Sequence, residues 1–268
     1  MNDFYFVEER GVPTLKCAAF DALHWLRHGF STRHGGVSSG DCATLNFSYN
    51  KEDEATVDEN FRRFSAANGL PFESLVLTHQ THTNHVVQVG AELKNRGRDR
   101  TLRETDGLVT AEAGLGLVCF TADCVPILLA EPEARIIAAV HAGWRGTVAG
   151  IAAEAVKRMA ALGANPARII AAIGPSIGPC HYEVSAEVQA QFTAVFGDRL
   201  PPVPSVNPGH TMLDLWAANR LFLEQSGLAP ERIFSSKICT FCNNKDFFSH
   251  RYTNGRRGLL IAAIAMEE

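Results

Sequence analysis

Between residues 106 and 143 the chain sets four short apolar segments nearly end to end: "DGLVT", "LGLVCFTAD", "VPILLAE" and "RIIAAVHAG". Rich in Val, Ile and Leu and too short for helices that bury a face, they read as buried strands. "ARIIAAIG" and the C-terminal "GLLIAAIAM" have the same character. "RIFSSKICT" and "FFSHR" read as further strands, and "SLVLTHQTH" and "NHVVQVG" as two strands around a polar connection.

Helical patterns interrupt these strands irregularly. From Glu54 to Asn68, Val57, Phe61 and Phe64 recur on one face, and Gly69 supplies a stop. After "HAGWRG", Thr147 reads as an N-cap, with Val148, Ile151, Ala155, Met159 and Leu162 as the apolar stripe and Gly163 as the end. "SAEVQAQFTAVFG" and "TMLDLWAANRLFLEQSG" are amphipathic as well. This irregular mixture argues for an α/β fold with a mixed sheet. "AELKNRGRDRTLRET" is polar and partly basic, and reads as a surface loop over a site.

With 268 residues, 46% of them hydrophobic, the chain can bury a sizeable core as one large domain or two small ones. "LPPVPSVNPGH" is the best boundary candidate, but Pro-rich loops are common inside domains, so residues 1–268 read as a single domain. The net charge of −4 is interspersed, which speaks against nucleic-acid or anionic-membrane partners. No apolar run reaches the length of about 18 residues that a membrane span needs. The first residues, "MNDFYFVEERGVPTL", lack the basic start of a secretory signal. Seven cysteines, an odd number, favour reduced thiols and a cytoplasmic setting.

Two of the central strands end on reactive side chains. Cys124 follows Asp123 in "TADCVPILL", and His141, seventeen residues on, opens "HAGWRGT". Cys and His suit zinc, and three protein ligands would leave a fourth position for a reactant. The turn after His141 leads into a helix start that could present N–H groups to an anion, with the Arg145 fork beside it. A Cys–His nucleophile pair without metal is equally compatible with the spacing. "CTFC" (Cys239 to Cys242) is a lone C-x-x-C; His250 lies close in sequence, but a third and a fourth ligand are not evident, so a second zinc site is not expected. No phosphate-binding glycine loop is present: "RHGGVSSG" is not G-x-G-x-x-G, and G-x-x-x-x-G-K-[ST] does not occur.

"TRHGGVSSG…LNFS", "QTHTNHV", "DGLVT", "TADCVPILL", "HAGWRGT", "IGPSIGPCHYEV", "LDL", "CT" and "FFSHR…GRRG" occur here in the order of a known family. From about Trp25 to its end the chain resembles the YfiH-type, or laccase-domain, proteins, also called multicopper polyphenol oxidases, among them the peptidoglycan-editing factor and FAMIN. The resemblance implies one α/β domain, a layered sandwich of mixed sheets with outer helices. It implies metal ligands at His82, Cys124 and His141, His82 being the histidine of the Gln80-Thr81-His82 pattern. It further implies purine nucleoside processing with Zn²⁺: phosphorolysis of adenosine, inosine or methylthioadenosine, and deamination of adenosine. His250 and Ser176 depart from the tyrosine and cysteine frequent in the family. For the chemistry, Asp123 is the acid/base candidate, and Arg145, the helix start at Gly146 and Thr147, and Arg251 are the candidates for phosphate and substrate. Copper-dependent polyphenol oxidation sits poorly with ten histidines and no H-x-H pair, although the three ligands could take copper in vitro. Hydrolytic editing of a muramyl precursor would use the same metal and the same water, and a non-catalytic metal-binding scaffold would close the fourth position instead.

Overall fold

The computed structural model describes residues 3–96 and 102–268. In chain order its main elements are β1 (Phe4–Glu9), β2 (Val12–Cys17), β3 (Leu26–Ser31), α1 (Glu54–Asn68), β4 (Leu75–Leu77), β5 (Val86–Gln88), β6 (Gly107–Thr110), β7 (Gly116–Thr121), β8 (Val125–Glu131), β9 (Ile136–Ala142), α2 (Trp144–Val148), α3 (Ile151–Ala161), β10 (Ile170–Ile173), β11 (Glu183–Ser185), α4 (Ala186–Phe196), β12 (Val203–Pro204), β13 (His210–Met212), α5 (Leu215–Gln225), β14 (Ile233–Ser235), α6 (His250–Thr253) and β15 (Leu260–Met266).

Two six-stranded sheets carry the architecture. One runs β1-β2-β3-β15-β7-β4, the other β14-β10-β8-β9-β6-β5, and β11-β13-β12 form a small third sheet. Both large sheets are mixed: β4–β7, β5–β6 and β10–β14 pair parallel, whereas the β8–β9 and β7–β15 pairs are antiparallel. Period-2 alternation explains how they stack. Along β9, Ile137 and Ala139 face the first sheet, sharing a core with Leu117, Cys119, Ala262 and Ile264. Ile136, Ala138 and Val140 face the opposite way, onto Ile151, Ala155 and Met159 of α3 and Phe192 of α4. The outer face of the first sheet, with Val118 and Ile261, is covered by Val57, Phe61 and Phe64 of α1. The result is the expected layered α/β sandwich, helices outside and two mixed sheets within.

Local signals account for α1. The Asp53 carboxylate accepts from the Thr56 N–H at 3.0 Å, and Gly69 closes the helix at φ +66°. Three expectations need correction. The helix after "HAG" does not begin at Thr147: α2 starts at Trp144, the chain breaks at Gly150 (φ +78°), and α3 resumes at Ile151. "FFSHR" is not a strand; Ser249 caps the short α6, its Oγ accepting from the Tyr252 N–H at 3.2 Å. The "TM" before α5 belongs to β13, because Asp214 caps that helix only at Leu215. Residues 97–101 of the polar loop expected over a site lie outside the described residues. No described helix is long and apolar enough to cross a membrane.

Candidate metal centre and its surroundings

The two His/Cys-bearing connections both step from one large sheet to the other. Residues 78–85 link β4 to β5, and residues 122–124 link β7 to β8. The first carries His82 and the second Cys124, so each lies at the seam between the sheets. Both crossings use left-handed backbone, at His82 (φ +64°) and Asp123 (φ +89°). His141 arrives on β9, whose register with β8 sets it opposite Pro126. The sheet pairing thus brings together three residues remote in sequence.

Their donor atoms lie within 4.8 Å of one another. Cys124 Sγ is 3.9 Å from His82 Nε2, and the two imidazoles meet edge to face with centroids 4.9 Å apart. Tetrahedral zinc with bonds of about 2.0–2.3 Å asks for donor separations of about 3.5 Å, so a small inward movement closes the set. His141 is buried, Cys124 half-buried and His82 exposed, which leaves the centre open on the His82 side.

Asp106, at the head of "DGLVT", organises the centre, and sequence reasoning does not single it out. Its carboxylate is fully buried. Oδ1 accepts from His141 Nδ1 at 2.8 Å and from the His82 N–H at 3.0 Å. Oδ2 accepts from the Thr81 and Thr83 N–H groups and the Thr83 hydroxyl at 2.9–3.1 Å. One carboxylate therefore shapes the turn that carries His82 and fixes the His141 ring through its Nδ1, leaving Nε2 to face the other two donors. Burial alone would raise the Asp106 pKa, but the His141 and Thr83 hydrogen bonds outweigh it and hold the group at about 2. Burial likewise pushes the Cys124 thiol up, yet the charge and hydrogen bond of His141, with His82 adding to them, bring it down to about 6. Burial disfavours the His141 imidazolium, and the Cys124 and Asp106 charges overcome that, raising it to about 9. Cysteine is thereby favoured as thiolate, the form that binds metal.

Gly143 explains part of the "HAGWRG" pattern. A Cβ there would stand 2.7 Å from His82 Cδ2 and 3.3 Å from Cys124 Sγ. Gly143→Ala is expected to keep the fold but weaken metal binding at this centre at least about tenfold, about 1.4 kcal/mol. Competition with a chromogenic chelator measures it, and unchanged affinity would mean that the ligand atoms do not close on this space.

The remaining expected site residues divide. The Asp123 carboxylate is buried and engaged: Oδ1 accepts from Thr240 Oγ1 and Oδ2 from the Arg251 N–H, both at 2.6 Å. Arg251 donates from Nη1 to the Glu183 carbonyl at 3.0 Å and lies over the Tyr182 ring, 5.4 Å from its centroid. Arg145 is exposed on α2, with its guanidinium 4.3 Å from the Trp144 ring centroid. Thr147 is fully buried; its hydroxyl accepts from Asn219 Nδ2 at 3.1 Å and donates to the Ala142 carbonyl at 3.4 Å, so it belongs to the packing of α2 on α5 rather than to a surface.

Two more residues join this face. Burial first, then the charges of Cys124 and Asp123, push the Tyr182 phenol up, with Arg251 and Arg145 opposing. Burial lowers the Arg257 pKa while Asp123 and Cys124 act to raise it, and Arg257 Nε is buried with no partner among the described residues. Beside His82 opens a cavity of about 530 Å³, lined by Tyr49, Asn50, His79, Gln80, Arg103 and Phe120 among others. "GRRG" and "CHYEV" carry Arg257 and Tyr182 in the sequence, but nothing there separates them from neighbouring Arg and Tyr residues.

The chain is 41% identical over 239 residues to a purine nucleoside phosphorylase of Deinococcus radiodurans, covering 89% of this chain and 88% of that one. It is 36% identical over 279 residues to the purine nucleoside phosphorylase YlmD of Geobacillus stearothermophilus, covering 100% and 99%. The crystal structure of the Geobacillus YlmD superposes with a TM-score of 0.90 over the whole of both chains. That of the hypothetical protein YfiH of Bacillus licheniformis, 29% identical, gives the same score over the same coverage. The layered fold, the seam between its sheets and these likenesses lead to one assignment: the chain belongs to the multi-copper polyphenol oxidoreductase laccase family, whose model matches residues 27–267.

Proposed function

We propose that this chain is a zinc-dependent purine nucleoside phosphorylase that also deaminates adenosine, with His82, Cys124 and His141 holding the metal. The observation that carries the reading is a three-donor His/Cys centre, open on one side, next to a cavity of about 530 Å³. The names of the Deinococcus and Geobacillus relatives support the phosphorylase part of it. When bound, the ion supplies Lewis acidity at the open position and a more acidic water near neutral pH.

The chain's own residues do the rest. One thiolate and two neutral imidazoles leave a dication with a net charge of about +1, which favours an anionic reactant. Asp106 keeps the proton of His141 on Nδ1 and frees Nε2 for the metal. Arg145, Arg251 and Arg257 supply positive charge for phosphate, and Asp123 positions Arg251 by holding its backbone N–H. Tyr49 and Phe120 give the cavity aromatic walls for a purine. In phosphorolysis a phosphate oxygen bonds to C1′ while the C1′–N9 bond breaks, and the purine leaves with the electron pair and takes up a proton at nitrogen. In deamination, oxygen from water replaces the C6 amino group, which leaves as ammonia. Polyphenol oxidation by several coppers fits less well: among the described residues the only other His/Cys/Asp/Glu group of ligand spacing contains a single histidine.

Product analysis on metal-quantified protein tests the reading. Adenosine should yield adenine and ribose 1-phosphate only when phosphate is present, and inosine with ammonia when it is absent. Arg145→Ala should keep its metal and raise the KM for phosphate at least about tenfold, about 1.4 kcal/mol. Inactivity on nucleosides together with hydrolysis of a UDP-muramyl-serine would replace this reading with cell-wall editing.

A further inference from the structure

The C-x-x-C pair at Cys239 and Cys242 is not alone in space. Cys180 and His181, from the turn between β10 and β11, meet it, and the four donor atoms lie within 4.8 Å of one another. We propose that Cys180, His181, Cys239 and Cys242 form a second metal site, a closed Cys3His zinc site separate from the centre at Cys124.

The spacing is that of a coordination polyhedron. Cys180 Sγ and Cys242 Sγ are 3.6 Å apart, and His181 Nδ1 is 3.3 Å from each of them. Around tetrahedral zinc, with Zn–S about 2.3 Å and Zn–N about 2.0–2.1 Å, the edges are about 3.7 Å between sulfurs and about 3.5 Å between sulfur and nitrogen. Four soft-to-borderline donors fill the shell, which is the pattern of a structural site rather than a catalytic one.

The backbone is built to present these donors. The Gly178 N–H donates to Cys239 Sγ at 3.2 Å, and the His181 and Tyr182 N–H groups both return to the Gly178 carbonyl at 3.0 Å. On the other loop, Asn243 donates from its backbone N–H and from Nδ2 to the Cys239 carbonyl at 3.0 and 2.8 Å. The Thr240 N–H to Ser176 carbonyl bond, 3.0 Å, ties the two loops together. His181 stacks on Phe241, with centroids 4.1 Å apart and 17° between the planes, which sets the ring plane. Cys180 and Cys242 are exposed, so an ion has a route in. Burial of apolar surface does not account for two exposed cysteines side by side, whereas shared coordination does.

The consequence is mechanical. Thr240, between the two C-x-x-C cysteines, holds Asp123, which in turn holds the Arg251 N–H, and Tyr182 directly follows His181. The second ion therefore staples the loops that support the face beside Cys124 without touching a substrate.

Metal counting tests this independently of any activity. The chain is purified under reducing conditions without chelator or added metal, and then refilled with Co²⁺. Wild type should hold two equivalents per chain, and Cys124→Ala one. Cys180→Ser and Cys242→Ser should each lose one equivalent and keep the ion at Cys124. The thiolate-to-cobalt charge-transfer band per ion should be about threefold stronger in Cys124→Ala than in Cys242→Ser, in proportion to thiolate number. A Cys124→Ala chain that folds, holds no metal and leaves Cys180 and Cys242 open to a thiol reagent, or joined in a disulfide, overturns the proposal. That measurement decides even if the serine variants fail to fold.

Discussion

Cys124→Ala should reduce turnover by about a thousandfold or more and remove one equivalent of metal per chain while leaving the fold in place. The physical reason is the balance of charge at the seam between the sheets. His141 draws the Cys124 thiol down to about 6 against burial, so Cys124 reaches the thiolate near neutral pH, and His141, itself raised to about 9 by Cys124 and Asp106, would give up its Nε2 proton on taking the ion. Alanine removes the one anionic donor of the proposed set and leaves only two neutral ones, too few for a dication with an open position. The fold should survive because Cys124 is half-buried in a connection, not part of a packed layer. Cys119 is the control. It lies two residues before the end of β7, fully buried, with its thiol pushed up to about 12 by burial and donating to the Val140 carbonyl at 3.4 Å. Cys119→Ala should leave metal content and turnover intact and cost only packing. Metal quantification and initial rates on both variants make the comparison, and full activity in Cys124→Ala would remove the basis of the site assignment.

The contrast between these two cysteines shows what the amino-acid pattern can and cannot reveal. Strand character from Gly116 to Thr121 is legible because every residue is apolar or small, and α1 is legible because Val57, Phe61 and Phe64 keep helical spacing and Gly69 marks the end. Which strands pair is not written locally. β4 and β5 read as neighbours around a polar connection, yet they join different sheets, and that crossing is what delivers His82 to Cys124. "FFSHR" misleads because Phe247 and Phe248 are buried as a strand's would be, while Ser249 turns the next four residues into helix. The same limit hides the partners of Cys239 and Cys242. The turn holding Cys180 and His181 reaches them through the parallel β10–β14 pairing and the Ser176–Cys239 bridge, long-range contacts with no spacing rule. Asp106 escapes a reading of the sequence for a related reason: an aspartate before a strand is an ordinary boundary residue, and its five acceptor contacts exist only in three dimensions.

That carboxylate is the second place where one substitution should have a large effect. Asp106→Asn changes few atoms, but all five groups facing the carboxylate are donors: His141 Nδ1, the Thr81, His82 and Thr83 N–H groups and the Thr83 hydroxyl. An amide offers one acceptor oxygen and turns an NH2 toward the remaining donors. If the NH2 faces the turn, the N–H groups around His82 lose their partner, at about 1–3 kcal/mol for each buried group left unsatisfied. If it faces His141, Nδ1 must become the acceptor, and the proton moves to Nε2, the atom that should bind metal. Both orientations damage the centre, so metal affinity should fall about 10–100-fold, about 1.4–2.7 kcal/mol. The pH dependence carries a second signature. Asp106 titrates at about 2 in the folded chain against an ordinary 3.8, so its contribution to stability is complete above pH 3.8 and is lost as pH falls toward 2. In chelator-treated protein, the stability gap between wild type and Asp106→Asn, read from denaturant unfolding, should be constant between pH 3.8 and 6.5, narrow below 3.8 as Asp106 takes up its proton, and narrow again toward pH 9 as His141 loses the proton that Asp106 helps to hold. A gap that stays flat through those windows, with metal affinity unchanged, would mean that Asp106 neither shapes the His82 turn nor sets the tautomer of His141.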